Sequence, residues 1–212
     1  MHRSEAIQLI AEHMLSQLTP QQAVQAVQAF FGDFIPDELR RQLDPALLDQ
    51  HDRHDVPPTV IPSDPRYQPV LLHQMKRRLR GVTNTYLSAY LHGHLNTSVD
   101  VSGHWTRLLP CPVCDYHALP IRGNWDTCPV CGWKSDPVQE AVPDEAVGAN
   151  NVSLNHARQI FARTGLSSQA ARNWVHPHGK YMYPRATPQA EDLTGSARPG
   201  RQAGENPSGL ET

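Results

Sequence analysis

Along the first ninety residues, apolar side chains recur every three or four positions, the period of an amphipathic helix. Between residues 4 and 18, Ile7, Ile10, Met14 and Leu18 fall on one face. Thr19-Pro20-Gln21-Gln22 then combines an N-cap hydroxyl, proline at the first helical position and glutamine at the third. That is a capping box, and it predicts a second helix through Val24, Val27 and Phe31 to Gly32. Asp44-Pro45 opens a short helix through "ALLDQ" by the same logic. Residues 52–69 hold five prolines and little apolar periodicity, which predicts a loop or linker. Asp64-Pro65 leads into the longest helical pattern, in which Leu72, Met75, Leu79, Val82, Tyr86 and Tyr90 recur until Gly93.

Beyond residue 95 the pattern changes. "HWTRLL" (104–109) and "YHALPI" (116–121) are short and rich in aromatic and aliphatic residues, as strands are. "RGNW" (122–125) reads as a turn with Gly123 and Asn124 at its tip. "SLNHARQIFARTG" predicts a helix capped by Ser153 and stopped near Gly165. From Pro184 onward glycine, proline, serine and charge dominate with almost nothing to bury, which predicts a disordered tail. The expected architecture is α+β: a helical region over 1–95, a small zinc-ribbon domain with a C-terminal helix over 96–183, and a tail over 184–212.

The two strands flank the first of two cysteine pairs. All four cysteines, Cys111, Cys114, Cys128 and Cys131, lie in one stretch as two C-x2-C knuckles separated by thirteen residues. Two residues between cysteines let one tight turn aim both sulfurs at a single ion about 2.3 Å away, and two such turns complete a tetrahedron. Gly132 supplies the left-handed backbone that such a turn requires, and Asp115 holds the equivalent place in the first knuckle. Four thiolates close the shell, so the expected Zn2+ is structural and leaves no position for water or substrate. The competing readings of these residues are buried free thiols or redox-active pairs.

Composition narrows the setting. An apolar fraction of 39% in 212 residues supports a modest core, and a formal charge of -2 argues against a generic nucleic-acid binder. No apolar run approaches the roughly 20 residues that span a bilayer. The N-terminal segment carries Glu5, Glu12 and His13 within its apolar pattern, which reads as an amphipathic helix and not as a secretory signal. A reducing cytoplasm is the expected location, with no membrane partner.

The segment "CPVCDYHALPIRGNWDTCPVCGWKSDPVQ", followed by "GANNVSLNHARQIFARTG", resembles the bacterial cysteine-rich CPCC domain family. Its members are similar in having two knuckles, a following tryptophan, a D-P-V-Q-like run and a G-A-N-x-V-S-L helix start. The resemblance covers about residues 108–166, and "SEAIQLIAEHMLSQLTPQQ" is more loosely similar to an N-terminal helical segment of many members. Two departures stand out: Val113 occupies the place of the family's extra knuckle cysteine, and Lys134 and Ser135 stand where many relatives are acidic. The resemblance implies a small metal-stabilised bacterial domain without established catalysis, with relatives that occasionally neighbour toxin genes.

Other constellations are weaker. His51 and His54, His92 and His94, and His176 and His178 are paired at chelating spacings without a third partner, and His117 lies beside a knuckle. Lys76, Arg77, Arg78 and Arg80 form a basic run with no acid between Arg66 and Asp100, readable as a solvated helix face or as a docking patch. No phosphate loop, dinucleotide fingerprint or nucleophile motif occurs, so no enzyme is expected. The expected function is a non-catalytic protein-binding module, in its most specific form an immunity protein that blocks a cognate bacterial toxin. The alternative is a zinc-ribbon nucleic-acid-binding or transcription-associated protein, using Trp105, Trp125, Arg107, Arg122 and the basic run.

Overall fold

The computed structural model describes residues 1–32, 34–53, 60–61 and 63–186. Helix α1 (Arg3–Ser16) and helix α2 (Pro20–Phe30) meet at Thr19, whose side chain accepts from the Gln22 N–H while Gln22 returns to the Thr19 N–H. The capping box therefore forms as the sequence predicts. A short helix α3 (Asp37–Arg40), absent from the sequence reading, precedes α4 (Pro45–Asp52), which is capped by Asp44 as expected.

The long helical pattern after Asp64 is broken. A 3-10 turn (Pro65–Tyr67) runs into α5 (Gln68–Arg78), the chain turns, and α6 (Asn84–Leu95) starts at a new N-cap, Thr83. Gly81 lies in the break at φ +73°, where a Cβ would overlap the side chain of Leu108. The apolar period runs through the break because Leu79 and Val82 are both buried in the turn itself. Burial constrains which residues are apolar, and a turn packed on both sides satisfies the same pattern as a helix.

Helix α5 joins two cores. Its Leu71 packs with Val27, Phe30, Phe31, Leu39 and Leu47 from α2, α3 and α4. One turn further on, Met75 faces a second core built from Ala6 and Ile10 of α1, Leu87 and Leu91 of α6, and the cysteine-bearing segment. The helical region and the ribbon thus share one hydrophobic interior.

The ribbon holds a two-stranded antiparallel sheet, β1 (Leu109–Pro110) and β2 (His117–Leu119), with a register irregularity within β1. The expected strands shorten to these few residues because β1 runs at once into the first knuckle turn and β2, which leaves it, ends at Pro120. Helix α7 (Pro137–Ala141), helix α8 (Leu154–Thr164), a 3-10 segment (Gln169–Trp174) and helix α9 (Gly179–Met182) follow. Ser153 caps α8 and Gly165 ends it at φ +75°, as the sequence predicts. Pro184–Ala186, expected to begin the disordered tail, instead pair with the first knuckle: the His117 N–H donates to Pro184 O, and the Ala186 N–H donates to Asp115 O. The remainder of the expected tail, 187–212, lies outside the described residues.

Candidate metal centre

Both knuckles have the same backbone wiring. In the first, the Cys111 N–H donates to Tyr116 O (2.9 Å) and the Asp115 N–H to Cys111 O (3.0 Å). In the second, the Cys128 N–H donates to Trp133 O and the Gly132 N–H to Cys128 O, each at 2.8 Å. The residue that closes each turn is left-handed, Asp115 at φ +62° and Gly132 at φ +77°. Both positions accord with the sequence reading. The surroundings explain why the residues differ. A Cβ at 132 would lie 2.5 Å from Ala171 Cβ and 3.0 Å from Ala171 O, whereas Asp115 is exposed.

The two turns bring four sulfurs together. Cys111 Sγ and Cys131 Sγ are 3.6 Å apart, Cys114 Sγ and Cys128 Sγ 3.7 Å, and all four lie within 4.8 Å of one another. A disulfide requires about 2.05 Å, so these are not bonded pairs. A tetrahedron with metal–sulfur bonds of about 2.3 Å has edges of roughly 3.8 Å, close to the separations found. The donor set and its spacing therefore fit a thiolate-binding cation such as zinc. All four cysteines are fully buried, which leaves such an ion without an open face.

The electrostatics point the same way. Burial opposes ionisation of Cys128, but its hydrogen bonds with Cys111, Cys114 and Cys131 outweigh this and hold its pKa well below that of a free thiol. Hydrogen bonding to their neighbours, followed by burial, pushes Cys114 and Cys131 upward. Four packed sulfurs accommodate one negative charge readily and further charge only beside a cation.

Later segments clamp the knuckles. Arg158 of α8 donates from Nε to Pro112 O (2.8 Å), the Ser167 N–H to Cys131 O (2.8 Å), and the His176 N–H to Pro129 O (2.7 Å). Val113, at the place of the family's extra cysteine, is a buried member of the core.

The stretch after Trp133 forms a buried polar brace that the sequence reading did not resolve. Asp136, fully inaccessible, accepts from the Val138 and Gln139 N–H groups through Oδ1 and from the Ala149 N–H through Oδ2 (2.7 Å). Gln139, also inaccessible, donates from Nε2 to Val152 O and accepts from Asn150 at Oε1. Ser135 accepts from the Gly123 N–H and donates to Glu140, tying the inter-knuckle turn to α7. The readable signal was Asp136-Pro137, the same cap-and-proline pair that opens α4.

The remaining candidates separate. His117 turns from the sulfurs: Nδ1 donates to Leu108 O (2.8 Å) and Nε2 accepts from Arg107 (3.0 Å). His94 packs on Tyr90 and near His13, while the His178 N–H donates to His176 Nδ1. His51 packs against Phe30, and His54 lies outside the described residues. Among the described residues, the cysteine quartet is the one group of three or more such ligands that converges. Lys76, Arg77 and Arg78 close α5, Arg80 follows, and all four border a groove between the helical region and the ribbon.

No helix among the described residues is long and apolar enough to cross a membrane. No curated protein matches the chain. Residues 109–180, which span both knuckles, the polar brace, α8 and the segments that clamp the second knuckle, match the family described as Cysteine-rich CPCC. That third of the chain is a cysteine-rich CPCC domain built on a four-cysteine cluster.

Proposed function

We propose that the chain is a non-catalytic binding module whose fold is stabilised by one structural zinc ion, and that it acts as an immunity protein for a cognate bacterial toxin. The observation that carries the first part is the sealed cysteine cluster. With every sulfur buried and the coordination complete, a bound ion holds two turns together and has no vacancy at which to polarise a substrate. Cys111, Cys114, Cys128 and Cys131 are the ligands in this reading, and a reducing compartment keeps their thiols available.

The binding role is supported by how charge and apolar surface are arranged outside the metal centre. Lys76, Arg77, Arg78 and Arg80 sit together on one wall of a groove, while the ribbon between its knuckles carries Arg122 as its one strongly basic side chain. Such segregation orients a charged partner and accelerates encounter without chemistry. The toxin assignment rests on the family resemblance. An inhibitor made beside its toxin requires a dissociation constant of nanomolar order, roughly 12 kcal/mol. Co-expression with the product of the adjacent gene tests it: the two proteins copurify in equimolar amounts and the chain restores growth. Failure of both, with salt-sensitive binding to RNA or DNA, overturns the proposal in favour of nucleic-acid recognition.

A further inference from the structure

The groove beside the basic run has a volume of about 880 Å3. One wall is helical, formed by Arg3, Lys76, Arg77, Arg78 and Arg80; the other belongs to the ribbon, with Pro120, Ile121 and Asp126. Five cations therefore face one carboxylate among the described residues that line it. Among the described residues, Lys76, Arg78 and Arg80 take part in no ion pair. Arg78 keeps an exposed surface, and desolvation beside the groove wall pulls its pKa below the ordinary arginine value. Phe34, 88% exposed, and Ile121, 56% exposed, add large apolar side chains to the same groove.

We infer that this groove takes an acidic polypeptide segment of a partner protein, in which several carboxylates flank a large apolar side chain. The inference rests on the binding-module reading and deepens it. Concave walls focus the field of grouped cations, so carboxylates are drawn to Lys76, Arg78 and Arg80. Phe34 and Ile121 remove an apolar side chain from water, and both exposed residues gain by being covered. A nucleic-acid strand fits less well, because single strands are held by aromatic stacking along a basic track. Phe34 is the one strongly exposed aromatic ring in the described lining, whereas Trp105 and Trp125, which a stacking track would need beside it, lie outside the groove.

Fluorescence anisotropy on the full-length, zinc-loaded chain tests the inference. The probe is a fluorescein-labelled peptide of alternating glutamate, leucine and phenylalanine; controls are its glutamine counterpart and a labelled oligothymidylate of equal charge. The acidic peptide binds saturably and more weakly as salt rises. Lys76→Glu with Arg80→Glu, at a half-buried and an exposed position, weakens it by at least about tenfold. Phe34→Ala weakens it without altering its salt dependence, and Arg163→Glu, outside the groove, leaves it unchanged. Zinc content and circular dichroism of each variant verify folding. Absence of saturable binding, equal or tighter binding of oligothymidylate, or peptide binding that emerges only after deletion of 187–212 overturns the inference. Copurification with a toxin that survives Lys76→Glu/Arg80→Glu also overturns the groove while leaving the binding-module reading intact.

Discussion

Replacing Asp136 by alanine is expected to destabilise the ribbon by about 3 kcal/mol, although this residue touches neither the surface nor a cysteine knuckle. Its Oδ1 caps α7 through the Val138 and Gln139 N–H groups, a role worth about 1 kcal/mol. Its Oδ2 accepts from the Ala149 N–H at 2.7 Å, and a hydrogen bond to a charged acceptor is worth about 1.5–3 kcal/mol. Because the side chain is wholly inaccessible, water cannot replace it without local opening. Asp136→Asn keeps one oxygen for the cap but turns an amide N–H2 toward the Ala149 N–H, so it recovers only part of the loss. Gly148 sharpens the test. Its φ is +123°, and a Cβ there would overlap Asp136 Oδ2. Gly148→Ala therefore costs less in the Asp136→Ala background than in the native chain, where strain and overlap act together. Urea unfolding of zinc-saturated protein, followed by circular dichroism, gives the four stabilities of the double-mutant cycle. A loss below about 1 kcal/mol for Asp136→Ala, or additive effects of the two substitutions, refutes the assignment of the brace.

The metal centre predicts about one equivalent of zinc per chain, and Cys128→Ser or a strong chelator should expose residues 105–166 to limited proteolysis, because zinc-binding energy is folding energy in so small a core. Less than about 0.2 equivalent of zinc, or an unchanged digestion pattern, overturns the reading. Gly132→Ala should cost about 3 kcal/mol, since left-handed strain of about 1–2 kcal/mol combines with a clash against the Cβ and carbonyl oxygen of Ala171; Asp115→Gly at the equivalent exposed site should stay within about 1 kcal/mol. Burial, with the adjacent His178 and Arg78 charges, depresses the pKa of His176 below the ordinary histidine value of about 6.5. The unfolded chain then binds a proton more readily than the folded one, so the stabilising contribution is complete above pH 6.5 and is lost as pH falls. Melting curves between about pH 5.5 and 7.5 should show a shallower acid decline for His176→Gln than for the native chain, and parallel profiles exclude this role.

The features written in the sequence by itself were those whose causes lie within a few residues. The cap of α2 needs only Thr19 and Gln22, that of α4 only Asp44, and that of α8 only Ser153 and the following N–H groups. The knuckles are equally local: two residues between cysteines set each turn, and the left-handed positions at Asp115 and Gly132 follow from the turn's geometry. The sulfur cluster was legible because its four members are the chain's four cysteines. What tertiary structure alone decided involves groups far apart in the chain. The break at Gly81 answers to Leu108, since apolar spacing records burial and not whether the backbone between buried residues turns. Asp136 shows both regimes: one oxygen serves the cap that its Asp-Pro sequence announces, while the other holds Ala149, thirteen residues on. The groove lies beyond any local pattern. Lys76 and Ile121 share it because Leu79, Leu108 and the cysteines condense into one core, so the charge of one region and the apolar surface of another become neighbours only after packing.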